Sequence, residues 1–413
     1  MHVRPYLLRS VLAALVMASC GMTSGTSSLV ARDTRGVPPD PALLARARSG
    51  DAAASELLFN RDLLGVISRE HAGNLVVSAP SVFDVLALLA PGARGATATQ
   101  LTTALHSGST PGQLLADTVR LDSELEIDGH TLSLARAAWL QEGFQIQQSY
   151  ASLLTRADAA PKTVNFQGDS AGARQTINEW VAARTRGRIP DLLPDGALGP
   201  LTRLVLTSAM ALDARWVMPF QHSATADDPF ETPSGRRQAS TMHAIAAMDY
   251  ASGPGYTAVR LPYQGGRLDA IVILPDPGTD PLSLVPALSA VTAHLSSTRV
   301  ALALPRFTTS SSLDLVPALG ALGLRPLFTP NADLSGIGGQ PGYLIVFGAF
   351  HRTWLAVDED GTRAAAASGL IVGATSAIGG SPVSVTVDRP FLFVVQDRQH
   401  GVPLLVARIT DPR

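Results

Sequence analysis

The sequence predicts an α+β protein built on large antiparallel sheets. Two observations lead there. Segments with helical spacing crowd the first half of the chain, and strand-like segments crowd the second, with no internal repeat. No interior stretch reads as a linker, so residues 41–413 are expected to form one domain, although 413 residues could supply two or three. Composition agrees with a large core: 46% of residues are hydrophobic and the mean hydropathy is +0.18.

Taken in order, Asp51 to Arg69 carries Leu57, Leu58, Leu64 and Ile67 at helical spacing. Asn74 to Ser78 reads as a short buried strand. Pro80-Ser81 opens an apolar helix over Val82 to Leu89, with proline at a tolerated early position. Gly92 to Gly95 is a turn, and Thr97 to Leu105 a short helix. Thr131 to Trp139 alternates as a strand does. Ser149 to Arg156 is a helix, as is Ala173 to Arg186, which contains Ile177, Trp180 and Val181 and stops at Gly187. Leu201 to Leu212 is a long apolar strand with both faces covered. Tyr256 to Leu261 and Leu268 to Leu274 are strands around the turn Tyr263-Gln-Gly-Gly266. Val300 to Leu304 is a strand, and Leu313 to Leu322 a helix ending at Gly323. Tyr343 to Phe350, Arg352 to Val357, Val383 to Val387, Phe391 to Gln396 and Leu404 to Arg408 complete the strands.

The net charge of −2 and a single lysine, Lys162, argue against a general nucleic-acid binder. At the N-terminus, Arg4 and Arg9 flank a short apolar run, Val11 to Met17, ending Met-Ala-Ser-Cys20. This is too short to span a bilayer and fits a signal peptide over residues 1–20. Small residues before a cysteine resemble a bacterial lipobox, with Met17 where leucine is usual. Cys20 is then the lipidated residue of a membrane-anchored, exported protein; the alternative is a freely secreted one. Residues 21–40 read as a polar linker. Cys20 is the only cysteine, so no intramolecular disulfide can form.

Enzyme motifs are missing. There is no Gly-x-Ser-x-Gly, no His-Glu-x-x-His and no phosphate-binding glycine loop. The nine histidines are scattered, without helical metal-ligand spacing. The sequence calls for no cofactor and no metal.

One stretch is unusual. Val357-Asp-Glu-Asp-Gly-Thr-Arg-Ala-Ala-Ala-Ala-Ser-Gly369 passes from a charged turn into four alanines, and from Ala364 to Val387 there is no charged or aromatic residue. Alanine favours helix, but about one turn of it between glycines is not stable alone. The local sequence leaves helix, loop and strand open.

Several blocks, in order over residues 45–413, resemble the serpin family. They are Asn74-Leu-Val-Val-Ser-Ala-Pro-Ser81, Ile177-Asn-Glu-Trp-Val181, Thr185-Arg-Gly-Arg-Ile-Pro-Asp-Leu-Leu193, Trp216 with Pro219-Phe220, Leu261-Pro-Tyr-Gln-Gly265, Leu304-Pro-Arg-Phe307, Ala332-Asp-Leu-Ser-Gly336 and Asp388-Arg-Pro-Phe-Leu-Phe393. Ser208 stands where the family usually has asparagine. The resemblance implies one domain with three β-sheets, eight or nine helices and an exposed reactive loop, here about 359–383. It implies a suicide-substrate inhibitor that forms a covalent 1:1 complex with a serine protease and inserts its cleaved loop into the main sheet as a new strand; the alternative is a non-inhibitory binding protein on the same fold. Glu359, Gly361, Thr362, Ala364, Ala365, Ala366 and Ala367 match the family's hinge. Of these, Thr362, Ala364, Ala366, and then Ser368, fall on the inward phase and are all small and uncharged. Family spacing puts the reactive bond between Thr375 and Ser376. Ser78, Ser81, Asn178 and His351 match the shutter, a buried polar cluster beneath the opening strands, and Trp216 the breach where the loop first enters. A monomer is implied, and small residues at the cut imply an elastase-like or subtilisin-like target.

Overall fold

The computed structural model describes residues 38–125, 132–157, 162–362 and 381–413. Capping side chains begin several of its helices. Asp51 Oδ1 accepts from the Ala54 amide at the head of Ala52–Glu70, and Ser78 caps Ala79–Leu89, with Pro80 in the first turn. Asp169 caps Ser170–Arg184, and Gly187 follows with φ of 75°, a conformation glycine adopts without strain.

The strands make two hydrogen-bonded networks. In the first, the order is Lys162–Val164, Leu132–Gln141, Leu204–Leu212, Ala349–Asp358, Gly361–Thr362 and Ala214–Arg215, with Phe307–Asp314 also paired to Ala349–Asp358. The second network has nine strands and carries two of the three expected sheets. They are joined because one 19-residue strand, Gly235–Gly253, pairs with Ser296–Pro305 over one stretch and with Tyr256–Pro262 over another. Nine α-helices lie among the described residues. From residue 38 onward the described chain belongs to one compact unit.

At the centre of the first network is a parallel seam. Ala349 to Thr353 pair with Leu206 to Met210 over five rungs, whereas Leu204–Leu212 on Leu132–Gln141 and Ala349–Asp358 on Phe307–Asp314 are antiparallel. Past Thr353 the two central strands stop pairing with one another. Gly361–Thr362 fills that end, antiparallel to Val357–Asp358 on one side and to Ala214–Arg215 on the other. The start of the alanine-rich stretch is therefore strand, which the local sequence left open.

Some expected elements fall differently. Leu313 to Leu322 is helical only from Val316: Phe307–Asp314 is a strand, Val316–Leu319 is α-helix, and a π-helical turn, Gly320–Leu324, follows with Gly323 breaking it at φ of 90°. The strand alternates in burial, but Thr309 and Ser311 fill two inward positions, so apolar alternation is missing from the sequence. Tyr343 to Gly348 is irregular rather than strand; Leu344 and Val346 bury into the core, and the Val346 amide bonds Leu327 O. The helix Pro111–Leu125 and the strands Ala226–Thr232 and Gly235–Gly253 were not expected from sequence. The hairpin exposes most of its residues, which leaves little pattern to read.

Gly361 has no room for a side chain: a Cβ there would stand 2.1 Å from Ala214 O. Gly361→Ala is expected to displace residues 361–362 from the sheet. Amide exchange at these two positions should rise at least tenfold and the melting temperature should fall by a few degrees. Unchanged exchange would refute the close approach.

Candidate functional site

Two clusters lie along the seam. The first is below it. Ser78 N–H donates to His351 Nε2 at 3.1 Å, and Ser78 Oγ–H reaches Met210 Sδ at 3.4 Å. Ser81 N–H bonds Ser78 Oγ at 3.4 Å, and Ser81 Oγ–H bonds Ser78 O at 3.0 Å. Next to them, Val76 N–H donates to Ser311 Oγ at 2.9 Å and Thr353 Oγ1–H to Val76 O at 2.5 Å. A single segment, Val76 to Ser81, is thus stapled to strands on both sides of the seam. Ser78, Ser81 and His351 are brought together as the sequence implied. Asn178 is not: its side chain accepts from Leu193 N–H at 2.8 Å and donates to Leu193 O at 3.0 Å. It closes the turn after its own helix, because both polar atoms are already used there.

His351 is 1% exposed, and burial lowers its pKa to about 4. The ring is therefore neutral at pH 7. Since Nε2 accepts a hydrogen bond, the proton sits on Nδ1.

The second cluster lies at the open end of the seam, around Gly361–Thr362. Trp216 is buried and stacked on Tyr263, with centroids 4.5 Å apart and planes 13° apart. Its indole N–H donates to Asp358 O at 3.0 Å, and its amide to Asp360 O at 3.0 Å. The Tyr263 hydroxyl meets Thr362 Oγ1 at 2.5 Å. Glu359 is 2% exposed; its Oε1 accepts from Thr225 Oγ1–H at 2.7 Å and faces Arg306 Nη1 at 3.4 Å. His222 stands 3.7 Å from Glu359 and 3.7 Å from Asp360. Burial alone would push the Glu359 carboxyl up, but the Thr225 hydroxyl, its own backbone amide, Arg306 and His222 together hold it below the usual range. Phe220 N–H bonds Glu359 O at 2.8 Å. The charged turn is thus an anchor, fixed by side chains from four other segments.

Sequence reasoning named Trp216, Glu359, Gly361 and Thr362 here but missed Tyr263, Thr225, His222 and Arg306. The signal for Tyr263 and Arg306 was present, as both lie inside blocks that carry the resemblance. Ala364, Ala365, Ala366, Ala367, Thr375, Ser376 and Cys20 lie outside the described residues.

The seam's acid sensitivity follows from His351. Its folded pKa lies below the ordinary 6.5, so the unfolded chain takes the proton first. The stability this confers is complete above about pH 6.5 and is lost as pH falls toward 4, by about 3 kcal/mol in all. The stability difference between the wild type and His351→Ala should therefore narrow over that window. Urea unfolding rates at pH 7, 5.5 and 4 check it; a difference constant with pH would exclude the titration of His351 as its source.

The family model Serpin (serine protease inhibitor) matches residues 55–412. An uncharacterized serpin-like protein of Thermococcus kodakarensis is 30% identical over 357 residues, covering 84% of this chain and 83% of its own. The leukocyte elastase inhibitor of Bos taurus is 30% identical over 380 residues, covering 87% and 99%. The crystal structure of Serpin48 of Tenebrio molitor superposes with a TM-score of 0.78 at 25% identity, covering 88% of this chain and 98% of that one. With the family model matched over nearly the whole described chain and the fold shared, this protein belongs to the serpin family.

Proposed function

We propose that this serpin is an inhibitor that traps serine proteases by inserting its cleaved loop into the seam. The observation that carries this reading is a coincidence of three registers. Thr362 lies opposite Val357 and Ala214; in the closed seam, Thr353 lies opposite Met210 and His351 opposite Ser208. Continuing the short Gly361–Thr362 strand on both sides puts Ala364 between Leu355 and Leu212, Ala366 between Thr353 and Met210, and Ser368 between His351 and Ser208. Thr353–Met210 and His351–Ser208 are pairs the closed seam already aligns, and Leu355 with Leu212 continues the same register beyond its open end, so an entering strand needs no slip on either side.

The physics of entry is favourable. The closed seam is parallel, and an entering strand replaces it with two antiparallel ladders, which are slightly more stable per residue. The inward positions 362, 364, 366 and 368 hold only Thr, Ala, Ala and Ser, so no bulk or charge opposes burial. Residues 363–375 extend about 43 Å at about 3.3 Å each, against about 33 Å for the ten residues of Ala349–Asp358. The cut segment is long enough to run the full seam.

In this mechanism the protease nucleophile attacks the Thr375 carbonyl, the Ser376 amine leaves, and the acyl-enzyme is carried along the sheet as the loop enters. The closed form is held kinetically. Thr375 with Ser376 fits a protease with a small or permissive pocket, elastase-like or subtilisin-like. The similarity to leukocyte elastase inhibitors supports that class. The inhibitor acts as a monomer in a covalent 1:1 complex. Cys20 anchors it by a lipid at the cell surface.

Incubation with pancreatic elastase should give an SDS-stable adduct, with the loop cut at Thr375–Ser376 by mass spectrometry and little adduct with trypsin. Cleavage without adduct from any protease would defeat the inhibitor reading. Thr362→Arg puts a charge at a site 1% exposed and should turn the protein into a substrate, cutting adduct yield at least tenfold while cleavage continues. Full adduct from that variant would mean that insertion does not need an uncharged side chain at position 362.

A further inference from the structure

His222 stands in front of two carboxylates. It opens the short turn His222–Ala224, just after the buried Phe220, and its side chain is 66% exposed. Nδ1 lies 3.7 Å from Glu359 Oε2, and Nε2 lies 3.7 Å from Asp360 Oδ1. Consecutive residues of an extended strand point to opposite faces. One ring meets both acids because the chain turns here, with the amides of Asp360 and Gly361 both donating to Asp358 Oδ1. At 3.7 Å neither contact is a hydrogen bond, so a neutral imidazole holds neither acid. A charged ring attracts both.

The two oxygens of Glu359 face different groups. Oε1 takes the Thr225 hydroxyl and Arg306. Oε2 is turned to His222. Arg306, and Arg215 on the strand opposite Gly361, are arginines, and arginine keeps its charge at any working pH. The strand Gly235–Gly253 also packs beside the His222 turn, and its histidine, His243, is paired with Asp228 at 2.9 Å. Histidine gains and loses its charge between about pH 5 and 8. Glu359 is held below the ordinary 4.5, so it stays ionised through that range. His222 therefore brings a conditional positive charge to a turn whose arginines are permanent.

We propose that His222 is an acid-operated clasp on the charged turn Asp358–Asp360. Protonated, the ring bridges Glu359 and Asp360 and holds Gly361–Thr362 in the open end of the seam. Neutral, it lets the turn go. This stabilisation is present where the ring is charged and is lost as pH rises. It is opposite in sign to that of His351, which is lost as pH falls toward 4. The consequence for trapping rests on the insertion argued under Proposed function. There, entry propagates from Gly361–Thr362, so a clasped turn favours the trapped product over the merely cut one. Because His222 is largely exposed, the effect is modest and salt-sensitive.

The test uses the uncut full chain as wild type, His222→Gln and His222→Lys. Amide exchange at Gly361 and Thr362, corrected for the intrinsic effect of pH on exchange, is measured at pH 5.5, 6.5 and 7.5. In the wild type, protection should be about two- to fivefold greater at pH 5.5 than at pH 7.5. His222→Gln should stay at the low level throughout and His222→Lys at the high level. Every other histidine is common to the three forms, so its titration cancels from the comparison. About 0.5 M NaCl should shrink the gain. An equal gain in His222→Gln would overturn the clasp. The second measurement is the ratio of SDS-stable adduct to cut protein with pancreatic elastase at the same pH values. Relative to His222→Gln, the wild-type ratio should rise at pH 5.5. Protection that follows His222 with a ratio that does not would overturn the link to trapping and leave the clasp standing. No adduct at any pH defeats the inhibitor reading, and the exchange result still decides the clasp.

Discussion

The rest of the structure depends on the parallel seam between Leu204–Leu212 and Ala349–Asp358. Parallel neighbours cannot be joined by a tight turn. Here 136 residues separate Leu212 from Ala349, so the contact is made by two parts of the chain that fold on their own terms. Five rungs hold it, and what keeps them closed is bonded from below. Val76, Ser78 and Ser81 lie between the sheet and the helix they start, and their hydrogen bonds reach Ser311, Thr353, His351 and Met210. Parting the seam means stretching or breaking bonds in a dry, nearly fully buried place. Each such bond is worth only about 1 kcal/mol net, yet leaving its partners unmade costs about 1–3 kcal/mol apiece. The barrier to opening is thereby larger than the stability of the closed rungs.

The two clusters divide the work. The upper one fixes Asp358 to Thr362 at the open end of the seam. Glu359 is pinned by Thr225 and Arg306, and Trp216 clamps the carbonyls of Asp358 and Asp360. The lower one bonds the closed strands from beneath. Gly361–Thr362 is paired on both sides, so in the proposed insertion the cost of nucleating a new strand is already met and entry is propagation from an existing end. Register is the hardest thing to specify for an inserted strand, since a slip of one residue turns every side chain to the wrong face. Here two rungs on each side set it before entry begins.

How much of this the sequence disclosed depended on what each feature relies on. Features set by local chemistry were readable: the cap and proline at Ser78–Ser81, the stop at Gly187, the alternating strands around Tyr263–Gly266. The family was readable because it is encoded as blocks in a fixed order. Asn178 was placed in the wrong cluster, since a residue type in a family block does not reveal which way its amide turns. Tyr263 and Thr362 were unreadable as a pair because their contact spans 99 positions and needs Trp216 to set the ring. Phe307–Asp314 was hidden for the reason that makes it useful: it spends inward positions on Thr309 and Ser311, and Ser311 holds the staple.

Polar residues in the seam differ by rung in how far the closed strands satisfy them. Thr353 and Met210 are bonded to the segment below while the seam is closed. His351 is half satisfied, with Nε2 used and Nδ1 free, and Ser208 has no partner. A sheet whose every buried group was paired when closed would have little to gain from a further strand. One whose groups were all unpaired would not stay closed. This seam is satisfied at its staple and carries two unpartnered atoms, His351 Nδ1 and Ser208 Oγ, on one rung, so what holds it closed is concentrated in a few buried polar groups rather than in the bulk of the core.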